Sequence, residues 1–168
     1  MSPALLAVSY WLHMVATIVW VGGLAMMSLV GWPGARKVLG PGPQLSALVA
    51  DWHRRFNPLA WLSLAVLVGT GLTQMSANSN YDGFLAITNG WSAAILAKHV
   101  VIVAMVVVGV YMNWALQPAL ARLAMLEAHG QAPAEAASLR RRELTLTRLN
   151  LACGLLVLAL TALARALS

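Results

Sequence analysis

The stretch ALLAVSYWLHMVATIVWVGGLAMMSLV, residues 4–30, contains one histidine and no Asp, Glu, Lys or Arg. A hydrocarbon core about 30 Å thick is crossed by roughly 20 apolar residues in an α-helix. The stretch therefore predicts a membrane-spanning helix. No basic segment precedes it and it runs past signal-peptide length, so we expect it to be retained rather than cleaved.

Three further apolar stretches follow, over residues 57–75, 91–116 and 147–167. Only 10% of the 168 residues are charged and 60% are hydrophobic, whereas a soluble domain carries about 25% charged residues. The single cysteine, Cys153, excludes an intramolecular disulfide. The sequence predicts one all-α integral membrane domain over residues 1–168, a four-helix bundle surrounded by lipid bilayer.

Proline, glycine and polar residues predict the connections between these spans. The segment GWPGARKVLGPGPQ, residues 31–44, has the composition of a loop. Pro58 suits the first turn of the second span, and Pro118 is expected to end the third. Residues 119–142 are predicted to form a surface helix that is broken around HGQAP, residues 129–133.

Basic residues are concentrated in the first and third connections, and the second connection has none. They are Arg36, Lys37, Arg54 and Arg55, then Arg122, Arg140, Arg141, Arg142 and, at the edge of the fourth span, Arg148. Because basic connections stay in the cytoplasm, we expect both termini on the outer side. This distribution accounts for the net charge of +6, so nucleic acid is not expected as a partner.

Two histidines are predicted at matching depth in the bundle. His13 lies about nine residues into the first span and His99 about eight into the third, and both spans run in the same direction. Ionisable side chains within spans face the bundle interior and mark functional sites. Gly69 and Gly71 of the second span fall at the same level and predict a notch. A ligand site is thus expected between the first and third helices.

Haem b is the ligand that we favour for this site, with His13 and His99 as axial ligands and the glycine notch making room for the macrocycle. The protein would then be a b-type cytochrome that exchanges electrons with a quinone or a periplasmic redox partner. Whether it is an enzyme stays open.

A copper ion is the alternative ligand, because imidazole and thioether both bind copper and Met14 is next to His13. The deeper candidate ligands are Met26, Met27, Met112 and His53, and they are interpreted as too widely spread to form a conducting path. A homo-oligomer or a copper-binding partner protein would then complete it.

Four more residues are predicted to surround the histidines. Tyr10 and Thr17 flank His13 at helical spacing and are expected to orient its imidazole. Trp20 lies deeper on nearly the same face. Lys98 is costly in hydrocarbon, so its ammonium is expected to reach the interface or to pair with a haem propionate.

Four stretches together resemble the copper resistance protein D (CopD) family of membrane proteins. They are HMVATIVWVGG (13–23), RRFNPLAWLSLAVLVGTGL (54–72), TNGWSAAILAKHVVIVAMVVVGVYMNWALQP (88–118) and RLNLACGLLVLALTAL (148–163). The resemblance implies a four-helix protein of the bacterial inner (plasma) membrane that acts in copper uptake or copper tolerance.

A more distant likeness is to the HemJ-type protoporphyrinogen oxidases, which are four-helix proteins that bind haem b. It is carried by His13 with Trp20, the pair Arg54–Arg55 with Pro58, and Lys98 after Trp91. This likeness implies a porphyrin-oxidising enzyme as a second alternative. The Asn-Glu-Val-Pro sequence of the last HemJ span is absent here.

A second site at His53 and His129 is left open.

Overall fold

The structure is a computed structural model that describes residues 2–83, 85–131 and 134–168, and it contains only helices within them. These are α1 (Pro3–Ala25), α2 (Trp32–Leu39), α3 (Pro43–Ser76), α4 (Gly90–Tyr111), α5 (Gln117–Ala128) and α6 (Ala136–Ala166). Two π-helical turns, Met26–Gly31 and Met112–Leu116, join α1 to α2 and α4 to α5.

Four continuous helices are therefore long and apolar enough to cross a membrane: Pro3–Leu39, Pro43–Ser76, Gly90–Ala128 and Ala136–Ala166. This confirms the predicted all-α fold and shows a multi-pass membrane protein. Apolar side chains such as Ile18 and Trp114 are exposed on the outside of the bundle, where a bilayer surrounds them.

Local sequence fixes where two of these helices begin. Ser2 caps α1 by accepting a hydrogen bond from the backbone N–H of Leu5, and Pro3 occupies the first turn. Asn89 and Ser92 form a reciprocal capping box at the start of α4. Both caps satisfy backbone N–H groups that an uncapped helix would leave without a partner.

The bundle consists of two helix pairs, α1 with α3 and α4 with α6, which meet where α1 packs on α6. Near one end, the Arg165 Nη1 atom donates to the Tyr10 hydroxyl oxygen at 3.2 Å. The Arg165 guanidinium also lies 4.8 Å from the centre of the Tyr10 ring. Both termini lie at this end, which we call the terminal end; the opposite end is the basic end. That the terminal end faces outward stays a prediction.

The connection between the first two spans differs from the prediction. Residues Trp32–Leu39 form α2, where the proline and glycine content predicted a loop. Pro33 lies in the first turn of α2, where its missing N–H costs no hydrogen bond. The chain turns only over residues 40–42, and Gly40 adopts a φ of 68° that favours glycine.

Two other prolines do not mark the helix ends that the sequence predicted. Pro58 lies inside α3, which already begins at Pro43. Pro118 lies in the first turn of α5, just after a π-helical turn, so the third span continues to Ala128. A π turn changes the local hydrogen-bonding register, and the start of the next helix tolerates proline.

The predicted surface helix over residues 119–142 is not a separate element. Its first part, as far as Ala128, prolongs the third span, and Ala136–Arg142 form the start of α6. The predicted break includes Ala132 and Pro133, which lie outside the described residues.

Candidate functional site

His13 is held by the second spanning helix. Its Nδ1 atom lies 2.8 Å from the Thr70 hydroxyl oxygen, and that hydroxyl donates to the Val66 carbonyl oxygen at 2.6 Å. Because the hydroxyl proton is engaged with Val66, His13 Nδ1 is the donor to Thr70, and the imidazole lone pair lies on Nε2. A Cβ atom at Gly71 would lie 3.6 Å from His13 Cε1, at ordinary van der Waals distance, so Gly71 faces the ring.

The other residues predicted around His13 occupy different places. Gly69 is exposed, with nothing within 4 Å of a Cβ built there, so Gly71 is the glycine of the predicted notch that faces the imidazole. The Thr17 hydroxyl donates to the His13 backbone carbonyl oxygen at 2.8 Å, and Tyr10 pairs with Arg165. Sequence reasoning missed Thr70, which is the residue that orients the ring.

His99 lies on the other helix pair. Its Nδ1 atom is 2.7 Å from the carbonyl oxygen of Ile95, one turn earlier in α4. Lys98 is half-buried and close enough to His13 to act on the imidazole electrostatically. Met14 is 58% exposed on the outside of the bundle. A ligand shared by His13 and His99 stays a prediction.

A cavity of about 80 Å³ lies farther from the terminal end, and all four spanning helices contribute to its wall. We call it the methionine chamber, because Met27, Met105 and Met112 line it. The structure thus brings together Met27 and Met112, which the sequence analysis treated as spread too widely, and adds Met105 to them. Trp20 also lines the chamber, and it packs on the buried cluster of Leu24, Met105 and Leu151.

A second cavity, of about 310 Å³, continues toward the basic end, and we call it the basic-end cavity. It shares four lining residues with the methionine chamber: His53, Asn57, Asn113 and Gln117. In this common wall, Asn57 Nδ2 donates to Asn113 Oδ1 at 2.7 Å. The two cavities are therefore adjacent, and amide and imidazole groups separate them.

The basic-end cavity also contains a buried acid–base pair. His53 Nε2 lies 2.9 Å from Glu143 Oε1, and the side chains are only 11% and 5% exposed. Gln117 Nε2 donates to the same carboxylate oxygen at 3.1 Å. His129, by contrast, is exposed at the end of α5, with its Nδ1 atom 2.7 Å from the Met125 carbonyl oxygen. The two histidines left open as a second site thus have different surroundings.

Residue spacing carries a signal for these cavities that the sequence analysis did not use. Met105 and Met112 are seven residues apart, so they share one face of their helix. Glu143, Thr147 and Asn150 follow the i, i+4, i+7 pattern along α6, and all three are buried. This polar stripe at the start of the fourth span marks the side of α6 that faces the interior.

Among the residues that the structure describes, no three His, Cys, Asp or Glu side chains cluster as a metal site. Methionine is not one of these four residue types, so their absence does not bear on the methionine chamber. It offers soft sulphur atoms, which select Cu(I) over hard cations.

The family model for copper resistance protein D (CopD) matches residues 50–164, more than half of the chain. This chain belongs to the CopD family. The match confirms the resemblance and supports copper, which was the alternative ligand. It includes Met105, Met112, His53 and Glu143, whereas His13 and Met27 precede it.

No curated protein and no solved structure gives a match. The family match does not support the haem b interpretation, membrane electron transfer or the porphyrin-oxidising alternative, so these stay predictions. The fold and cavities of this CopD-family protein are therefore the basis for proposing what it does.

Proposed function

We propose that this CopD-family protein carries copper ions across the bacterial plasma membrane. The family is described by copper resistance, and the fold is that of a multi-pass membrane protein. Copper is the substrate in this proposal, and the bundle supplies its path. Haem binding plays no part in it.

The observation that carries the proposal is the pair of adjacent cavities along the inside of the bundle. Ion conduction requires several sites in series that bind strongly enough for entry and weakly enough for release. The methionine chamber supplies thioethers, the common wall supplies amide and imidazole groups, and the basic-end cavity supplies the Glu143 carboxylate. Neighbouring copper-binding groups that range from soft sulphur to hard oxygen would let an ion move from one site to the next.

The terminal half supplies the approach to this path. His13 and Trp20 are seven residues apart within α1, so they share one face of the first helix at a step of about 10 Å. Trp20 and Met27 line the methionine chamber, and His13 lies nearer to the terminal end. In the proposed path, Trp20 is the side chain between His13 and the chamber.

Copper flux into lipid vesicles tests this function. Purified protein is reconstituted into vesicles that contain a chromogenic copper chelator, and colour development is followed after copper is added outside. We expect faster uptake than in protein-free vesicles. Equal rates in the two preparations would show that the protein does not carry copper.

A variant of the common wall links the flux to the path. Replacing both amides, Asn57→Leu with Asn113→Leu, removes the polar pair without leaving one partner unsatisfied, a change that stability can tolerate. We expect copper flux to fall to the protein-free background. Trp114→Leu is the matched control, because this neighbour of Asn113 is 75% exposed on the outside of the bundle and should keep full flux.

A further inference from the structure

Six methionines of this chain fall into two groups by position, and a further one, Met75, is buried in a separate cluster with Trp91, Ala94 and Ala164. Met27, Met105 and Met112 line one chamber inside the bundle, whereas three others are exposed on its surface. These are Met14 at 58%, Met26 at 58% and Met125 at 59% exposure. Methionine in an apolar helix is commonly packing material, but packing alone does not require three thioethers from two helix pairs to line one cavity.

The backbone is irregular where two of these methionines lie. Met27 belongs to the π-helical turn Met26–Gly31, and Met112 begins the turn Met112–Leu116. Single π turns inside α-helices are rare and occur frequently at functional sites. Such a turn inserts one residue into the helical register and so changes the direction of the side chains in it. Two separate spans each have one, and each presents a methionine to the chamber.

Asn150 gives an independent indication of a ligand. It lines the methionine chamber and is only 4% exposed. Its Oδ1 atom is buried and has no hydrogen-bond partner within the described part of the chain. Buried polar atoms almost always have a partner, and an exception calls for an explanation such as an ion or a water molecule. The exception here belongs to a residue of the chamber wall.

The chemistry of the wall selects the type of ion. Thioethers are neutral, soft donors that favour Cu(I), whereas hard divalent cations prefer carboxylate and carbonyl oxygen. The residues that line the chamber include no carboxylate, and Glu143 lines the neighbouring cavity. In a wall without carboxylates, desolvation of a doubly charged ion costs more than desolvation of a singly charged one.

We propose that the methionine chamber is a cuprous-ion site, in which Met27, Met105 and Met112 bind Cu(I) and the Asn150 amide dipole stabilises its charge. The inference rests on the proposed copper transport and adds the oxidation state and the ligands. The proposed site binds copper that arrives as Cu(I), and Cu(II) is not its ligand.

Competition for Cu(I) tests the site in purified full-length protein. The probe is Cu(I) kept reduced by ascorbate and shared with a coloured Cu(I) chelator, and silver(I) serves as a redox-inert substitute. We expect each single replacement, Met27→Leu, Met105→Leu or Met112→Leu, to weaken the affinity by about tenfold. The triple variant is expected to lose the site, whereas Cu(II) without reductant should show no binding that depends on these residues.

Matched controls separate ligand loss from general effects. Leucine conserves methionine volume closely and is well tolerated in cores. The variant Met14→Leu/Met26→Leu/Met125→Leu changes three surface methionines and is expected to bind Cu(I) like the wild type. The pair Met26→Leu and Met27→Leu compares adjacent residues, and both variants retain most of the core if a triple variant fails to fold. Equal Cu(I) affinity in these two single variants would overturn the proposal.

Asn150→Leu tests the role of the amide. We expect weaker Cu(I) binding, by about tenfold, together with a higher melting temperature, because the unsatisfied amide is removed. A merely structural Asn150 would instead lower the melting temperature on replacement and leave Cu(I) affinity unchanged.

Failure of the site and failure of the function have different signatures. Copper flux that survives the triple chamber variant would overturn the cuprous site while transport stands. Methionine-dependent Cu(I) binding with no flux in vesicles would overturn transport while the site stands.

Discussion

The terminal half of the bundle holds a half-buried histidine and the basic half a buried one, and the two have different partners. His13 donates from Nδ1 to the neutral hydroxyl of Thr70, 2.8 Å away. His53 lies 2.9 Å from the carboxylate of Glu143, in a wall shared by two cavities. The partner and the adjoining space distinguish the two histidines.

Two adjacent methionines also differ in their surroundings. Met26 is 58% exposed on the outside of the bundle, and Met27, the next residue, lines the methionine chamber. The identity of the residue is therefore a weak guide to function in an apolar chain. The cavity that a side chain lines is a stronger guide to its function.

The largest expected effect comes from breaking the pair in the basic half. His53→Leu leaves the buried Glu143 carboxylate with the Gln117 amide as its remaining hydrogen-bond donor. Loss of one partner from a buried pair costs about 3–5 kcal/mol, and we expect the free energy of unfolding to fall by that amount. Denaturant unfolding in detergent, followed by tryptophan fluorescence, measures it.

The double variant His53→Leu/Glu143→Leu is the control, because it removes both polar groups and should recover most of the loss. A loss of about 1 kcal/mol in the single variant is what a neutral hydrogen bond would give. That result would mean that the two histidines are energetically alike.

A smaller effect is expected where α1 meets the chamber wall. A Cβ atom at Gly23 would clash with Cε2 of the Phe56 ring, and Phe56 lines the methionine chamber. Gly23→Ala forces this ring to move, and overpacking of this kind costs about 1–3 kcal/mol. We expect a lower melting temperature in detergent and weaker Cu(I) binding.

Gly22→Ala is the matched control for that change, because nothing lies within 4 Å of a Cβ atom built there. Alanine also favours a helix over glycine by about 1 kcal/mol, so this variant is expected to be at least as stable as the wild type. Similar destabilisation by both alanines would mean that helix contacts elsewhere, and not the chamber wall, set the need for glycine.

Composition and apolar length predicted the four spans, because a bilayer imposes a simple requirement on a helix. The helix ends at the basic end were harder to predict, since proline and glycine there fall in first helical turns, as Pro33 and Pro118 do. The π turns carry no sequence signal that we recognise. They alter the register on which spacing arguments in α1 and α4 depend.

The candidate site was only partly accessible from the sequence for a related reason. Matching depths of His13 and His99 follow from counting residues, but the helix pairs α1–α3 and α4–α6 are a property of tertiary packing. Thr70, and not the predicted Tyr10 or Thr17, is the partner of the His13 ring, because α3 packs on the face of α1 that carries His13. The seven-residue spacing of Met105 and Met112 was visible, and the cavity between helices was not.

The smallest expected effect tests the terminal half. Thr70→Val removes the acceptor of the His13 Nδ1 proton, and a neutral hydrogen bond contributes about 1 kcal/mol to stability. We expect the free energy of unfolding to fall by about that amount, with Cu(I) affinity unchanged, because His13 lies outside the methionine chamber. Thr70→Ser keeps the hydroxyl and should behave as the wild type. If Thr70→Val instead lowers Cu(I) affinity as strongly as Met27→Leu does, the imidazole tautomer matters to the metal, and His13 belongs to the same site as the methionines.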